Sequence, residues 1–317
     1  RNNMKYNYYP GCSLERNAHS YHDSAMAVGT KLGIEFVEVE DWNCCGATEY
    51  MSIDKISAFT LSGRNLALAY EQKENGDLVA PCSLCLLNLQ KSDHHMQESQ
   101  ELANNVNTSL AEGGLSYKPG SVQSKHLLDV FAKDIDENEI VEKVEKFLYG
   151  LKIAPYYGCL SSRPGFDGRE NFDFPLRLDN LISLLGADVV DFPLKTHCCG
   201  GHMTQISEPT ALELIRRLLK NAVDNHADMI VTICPMCQLN LDAYQDSVNK
   251  YFKTDFNIPV LYFTQIMGVA FGFEPKEMGI WQEFVNAKEV LAKILDEPPK
   301  VPKEKRASKT ALPMAKV

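Results

Sequence analysis

The chain has 317 residues, 44% of them hydrophobic, and a formal net charge of −10. That is enough apolar material for two self-supporting domains of about 150 residues each, so the fold needs no disulfide staples. The acidic balance, without a basic or aromatic stripe, argues against nucleic-acid binding.

Along the chain, short apolar runs alternate with helical spacing. Residues 5–9 read as a strand ending at Pro10-Gly11-Cys12, and residues 19–32 as a helix stopped by Gly33. Residues 34–39 alternate as a strand. Ile56, Phe59, Gly63, Leu66, Ala67 and Tyr70 then fall at helical spacing. Residues 78–80 form a buried strand ending at Pro81-Cys82, and residues 86–96 begin another helix. Residues 104–120, rich in Asn, Ser and Gly, read as a loop leading to 125–131, and residues 134–149 as a charged helix linking two halves. The pattern then repeats: strands at 153–157, 188–192 and 229–233, with helices at 176–185, 211–223 and 239–244. Strands alternating with helices predict an α/β fold with a mainly parallel sheet in each half. The expected division is 1–150 with the linker helix, 151–297, and a tail at 298–317. The longest apolar stretch, 260–273, is broken by Thr264 and Gln265 and is too short to span a bilayer. No membrane insertion is expected.

All ten cysteines fall into two copies of one pattern. The first is Cys12, Cys44, Cys45, Cys82 and Cys85; the second is Cys159, Cys198, Cys199, Cys234 and Cys237. Equivalent cysteines lie 147 (Cys12 to Cys159), 154 (Cys44 to Cys198) and 152 (Cys82 to Cys234) residues apart. A repeat this long means two similar domains. The first cysteine and the C-x2-C of each copy directly follow a strand, and the CC pair follows the middle strand by a short loop. Sites in open α/β sheets gather at the carboxyl ends of strands, so three loops should converge in each half.

Three uses compete for five thiols. Disulfides fit poorly, because adjacent Cα atoms lie about 3.8 Å apart and disulfides need more. The first eleven residues also lack the apolar segment of a signal peptide, which gives the expectation of a cytoplasmic protein. Zinc suits C-x2-C, but four thiolates close its site and each set holds five. An iron–sulfur cluster takes thiolates as its standard ligands and is large enough for adjacent cysteines to reach different irons. Gly46, Gly200 and Gly201 would let the backbone approach and aim N–H groups at sulfur.

The doubled C-x(31–38)-CC-x(34–36)-C-x2-C resembles the tandem cysteine-rich CCG domains of the heterodisulfide reductase B subunits, over about residues 4–270. The resemblance implies two pseudo-symmetric CCG domains. In each, the five cysteines hold a non-cubane [4Fe-4S] cluster. It further implies that the paired clusters cleave a disulfide, such as CoM-S-S-CoB or a related small molecule, to two thiols. The chain lacks ferredoxin-type cysteine runs and any G-x-G-x-x-G after a strand. Electrons should therefore come from a partner, and the resemblance implies that this is a ferredoxin-like iron–sulfur subunit with a flavin-bearing subunit behind it. Similar subunits serve sulfur oxidation, lactate or glycolate oxidation and thiol:fumarate reduction. A relay role without catalysis is the alternative outside enzymes.

Other side chains are candidates by position. His197 and His202 flank the second CC pair and could supply protons to a departing thiolate. Arg163 follows Cys159 closely and could pair with an anionic substrate group. His94 and His95 lie on a polar stretch, and Trp42 should pack against the first CC loop. The tail carries six Lys or Arg against one Glu, net +5, leaving the rest of the chain at −15. Lys300, Lys303, Lys305, Arg306, Lys309 and Lys316 would make it a basic docking arm.

Overall fold

A computed structural model describes residues 4–47, 50–163 and 174–298. The N-terminal repeat runs β1 (Met4–Tyr8), α1 (Gly11–Leu14), α2 (His19–Lys31), β2 (Ile34–Glu38), α3 (Tyr50–Ile53), α4 (Lys55–Glu71), β3 (Leu78–Ala80), α5 (Ser83–Glu98), α6 (Gln100–Ala111), β4 (Ser124–His126) and α7 (Leu127–Asp129). A short α8 (Glu137–Val141) leads to the second repeat. This runs β5 (Lys152–Tyr156), α9 (Arg177–Leu184), β6 (Asp188–Val189), α10 (Met203–Ile206), α11 (Glu208–Asp224), β7 (Met229–Thr232), α12 (Pro235–Ala243), α13 (Gln245–Phe252), β8 (Val260–Tyr262) and α14 (Phe263–Ala270), followed by α15 (Lys288–Leu291).

Each repeat builds one four-stranded, wholly parallel sheet, in the orders β2-β1-β3-β4 and β6-β5-β7-β8. The identical order makes the two halves pseudo-symmetric. β3 and β7 are buried along their whole length, which is why they read as unbroken apolar runs. Parallel neighbours require crossovers, and the helices of those crossovers cover both faces.

The halves are fused through a common core. Tyr8, Leu128 and Phe131 of the first repeat share one buried cluster with Ile153, Leu181, Val231 and Phe263 of the second. Helix α2 packs on α14, where Ser24 Oγ and Thr264 Oγ1 lie 2.7 Å apart. Tyr21 stacks on Tyr262 with ring centroids 4.2 Å apart, and its hydroxyl donates to the Ile233 carbonyl at 3.1 Å. Thr264 and Gln265, which break the apolar stretch 260–273, thus join the halves and cap α14. Among the described residues no helix is long and apolar enough to cross a membrane.

Two expected segments differ. The expected loop at 104–120 begins as α6: Ala103, Val106 and Leu110 bury one face and the Ser99 side chain caps the start, so packing overrides the weak propensity of the asparagines. The expected helix at 134–149 is helical only in α8. The backbone N–H groups of Glu145 and Lys146 donate to Ala270, and that of Leu148 to Leu185, so its hydrogen bonds go elsewhere. The proposed basic arm falls almost wholly outside the described residues, which end at Pro298.

Candidate metal centres

The cysteines stand where the strands end. Cys12 opens α1 just past β1, Cys82 is the N-cap of α5 just past β3, and the CC pair lies in the loop after β2. In the second repeat Cys159 follows β5, the CC pair follows β6, and Cys234 caps α12 after β7. All ten are free thiols.

Glycine lets the sulfurs converge. Gly11 and Gly158, each one residue before the first cysteine, have φ of +72° and +70°. A Cβ there would lie 3.0 Å from Cys85 Sγ and 2.8 Å from Cys237 Sγ. The CC loops also need left-handed backbone: Gly46 (+84°) is followed by Ala47 (+50°), and Gly200 (+96°) by Gly201 (+50°). This path turns backbone N–H groups towards sulfur. Gly200 N–H donates to Cys198 Sγ at 3.3 Å, and Gly46 and Ala47 N–H donate to Cys44 and Cys45.

The thiols form a nearly continuous chain. Cys12 Sγ lies 3.8 Å from Cys44 Sγ; Cys44 contacts Cys45, Cys45 contacts Cys85, and Cys85 contacts Cys82. Cys82 then faces Cys234 of the other repeat. Cys234 contacts Cys237, which lies 3.5 Å from Cys199, while Cys159 contacts Cys198. Hydrogen bonding from Cys237, then from Cys82, holds Cys234 towards the thiolate, and one further thiol in each set readily becomes a thiolate. Hydrogen bonding from Cys12, then from Cys45, lowers Cys44 to about 2; hydrogen bonding from Cys159 lowers Cys198 to about 6, against the opposing effect of burial. Both are the first cysteine of a CC pair, and thiolates are the metal-binding form.

The donor set suits a cluster better than a single ion. Around zinc, sulfurs about 2.3 Å from the metal sit roughly 3.8 Å from one another. Among the described residues, only His94, His95 and Glu98 bring three ligand atoms within 4.8 Å; no three cysteine sulfurs do so. Five spread thiols with inward N–H groups fit a larger iron–sulfur centre.

The two mouths differ. Beside the second set lies a cavity of about 280 Å³, walled by Leu84 of the first repeat and by Leu160, His202, Met203, Ile206 and Met236 of the second. Beside the first set lies a polar depression of about 480 Å³ with Glu15, Arg16, Asp41 and Trp42. Of the expected residues, His202 lies on the cavity wall. His197 is exposed, and its carbonyl accepts the Tyr156 hydroxyl at 2.7 Å. Arg163 is exposed in the turn after Cys159, to whose carbonyl its backbone N–H donates at 3.0 Å. Trp42 packs edge-on against Tyr9.

Three repeated pairs are not singled out by motif alone. Tyr9 donates to the Asn43 carbonyl at 2.7 Å, as Tyr156 does to His197. Asn88 and Asn240 reach from α5 and α12 to the CC loops. Arg16 is the counterpart of Arg163, each four residues after its first cysteine. Their signal is the offset itself: 147 residues for the Tyr and Arg pairs and 152 for the Asn pair, as for the neighbouring cysteines.

Two parallel α/β repeats with fused cores and convergent thiols define a cysteine-rich redox subunit. The cysteine-rich CCG domain profile matches residues 6–90 and 153–242. The chain therefore belongs to the CCG cysteine-rich domain family. It is 34% identical over 281 residues, 88% of this chain and 96% of the relative, to the 8-methylmenaquinol:fumarate reductase membrane anchor subunit of Wolinella succinogenes. It is 29% identical over 92% of its length, and 97% of the relative, to the B subunit of the ferredoxin/F(420)H(2)-dependent CoB-CoM heterodisulfide reductase of Methanosarcina acetivorans. The crystal structure of a hypothetical protein from Helicobacter pylori shares the fold, with a TM-score of 0.71 and 17% identity over 90% of this chain; the chain spans 53% of that one. These relatives make the protein a redox subunit of a multisubunit oxidoreductase complex.

Proposed function

We propose that this chain is the substrate-handling subunit of a heterodisulfide-reductase-like complex, with two non-cubane [4Fe-4S] clusters held by its two cysteine sets. The observation carrying this reading is the convergence of two five-thiol sets, Cys82 of the first facing Cys234 of the second, with an apolar cavity that opens on the second set. When bound, the clusters supply electrons one at a time. A disulfide needs two: R–S–S–R′ with two electrons and two protons gives RSH and R′SH. The apolar cavity wall stands over the second set, where Cys199, Cys234 and Cys237 are buried, and a His202 ring nitrogen supplies a proton to a departing thiolate. Electrons arrive from a ferredoxin-like iron–sulfur subunit and a flavin-bearing subunit in the cytoplasm. The basic arm lies along one of these partners; deleting residues 298–317 should weaken assembly most at low salt, where its charges are least screened, and unchanged assembly at several salt concentrations would dismiss the arm.

A second reading has its own observation. Among the described residues no Lys or Arg lines the cavity, and burying an anion without a partner costs several kcal/mol. This favours a neutral, apolar substrate, and the Wolinella relative is named for a menaquinol. Quinol oxidation releases two electrons and two protons, which the same paired sets could accept. The test mixes anaerobic protein with substrates while its absorption spectrum is followed. Re-oxidation of the reduced protein by small disulfides but not by a quinone supports the first reading. Quinone turnover alone replaces it with the second, and response to neither leaves a relay and overturns both.

A further inference from the structure

Asn88 and Asn240 each follow the last cysteine of their set by three residues, extending the motif to C-x2-C-x2-N. Helix geometry alone puts neither in contact with a CC loop some forty residues earlier. The fold does. Asn88 Nδ2 donates to the carbonyls of Cys45 at 3.1 Å and Ala47 at 2.8 Å. Asn240 Nδ2 donates to the carbonyls of Cys199 at 3.2 Å and Gly201 at 2.9 Å. In both repeats one amide thus spans the second cysteine of the pair and the residue two further on.

The span crosses the two consecutive left-handed residues described above. Ala47 carries a side chain there, whose Cβ crowds the backbone in the left-handed region. Such a turn persists only where its surroundings hold it. The amide fixes both carbonyls facing α5 or α12, which leaves the loop N–H groups facing sulfur. It therefore sets the position of Cys45 or Cys199 without being one of the metal ligands.

The repeats diverge at one contact. Asn240 is 1% exposed, and its Nδ2 also lies 3.6 Å from Cys199 Sγ. Asn88 is only half-buried, and its Nδ2 donates to the two carbonyls. Hydrogen bonds to cluster sulfurs stabilise the more negative, reduced state and raise the potential.

We infer that Asn88 and Asn240 are positioning residues that clamp the CC loops, and that the N–H···S contact of Asn240 makes the second centre the better electron acceptor. Electrons would then run from the set beside the polar depression towards the set beside the apolar cavity. The inference rests on the reading of the sets as cluster ligands, which iron and sulfide content of the unaltered protein tests separately.

The experiment compares full-length, anaerobically loaded protein with Asn88→Ala and Asn240→Ala. Two readouts are taken: the rate of iron loss to a chelator, and the midpoint potentials from an EPR-monitored redox titration. Both variants should lose iron several-fold faster from one set. Only Asn240→Ala should lower one midpoint potential, leaving the other in place. Should Asn240→Ala load no second cluster, Asn240→Leu, which fills the space with neither an N–H donor nor a charge, should show the same fall. Unchanged chelation rates in both variants would overturn the clamp. Unchanged potentials, or equal shifts in both variants, would overturn the direction of electron flow.

Discussion

Cys82 and Cys234, equivalent residues of the two repeats, face each other across the junction of the two halves. Each caps the helix that follows the third strand of its sheet, so a single approximate symmetry brings both helix starts to the junction. Tyr21 and Ser24 of α2 lock that geometry through Tyr262, Ile233 and Thr264. This approach joins two cysteine sets that would otherwise be separate sites in one chain.

That proximity has a magnetic consequence. In fully reduced protein the EPR signals of the two centres should be split or broadened by spin coupling, and half-reduced samples should lack the effect. A simple sum of two independent spectra at every level of reduction would contradict the junction.

Gly11 and Gly158 should tolerate no side chain. The left-handed backbone costs a residue with a Cβ roughly 1–2 kcal/mol. The added atom would also press on Cys85 Sγ at 3.0 Å or Cys237 Sγ at 2.8 Å. Gly11→Ala and Gly158→Ala should each lose about half the bound iron, measured per chain after anaerobic isolation. Full iron in both variants would show that the sulfurs have room to move.

The tyrosines ahead of these glycines anchor the loops more softly. Tyr9→Phe or Tyr156→Phe removes one hydrogen bond to the carbonyl before the CC pair. Each should cost about 0.5–1.5 kcal/mol in denaturant unfolding. Double replacement should cost the sum, since the sites do not touch one another.

His22 gives the fold a pH dependence. Burial lowers its pKa below 6.5; Asp23 and Glu38 oppose the shift and the stacked His19 adds to it. The folded state therefore favours the neutral ring. Its stabilisation is complete above about pH 6.5 and is lost as pH falls through the lower folded value. The thermal midpoint of His22→Gln should fall less than that of the unaltered protein between pH 7.5 and pH 5. Parallel slopes would rule His22 out as a source of acid sensitivity.

The architecture was legible because its signals are local. Buried strands such as 78–80 and 229–233 read as apolar runs, and the cysteine spacing by itself marks the repeat. What escaped depends on contacts distant in sequence. The asparagines of α6 hid a helix whose stability comes from Val106 and Leu110 against the core. Residues 134–149 look helical by charge and length, yet their N–H groups find Ala270 and Leu185 in the other half. At the site, the ten thiols were plain, but Asn88 and Asn240 are ordinary helix residues until the fold brings the CC loops to them. The difference between an apolar mouth and a polar one lies in side chains from both repeats, Leu84 among them, which no single repeat displays.

The central claim is that each repeat holds an iron–sulfur cluster in its five cysteines. Anaerobic isolation followed by iron, zinc and acid-labile sulfide determination tests it directly. Two four-iron clusters predict about eight iron and a comparable amount of sulfide per chain, with negligible zinc. Two zinc ions per chain, with almost no iron or sulfide, would contradict it.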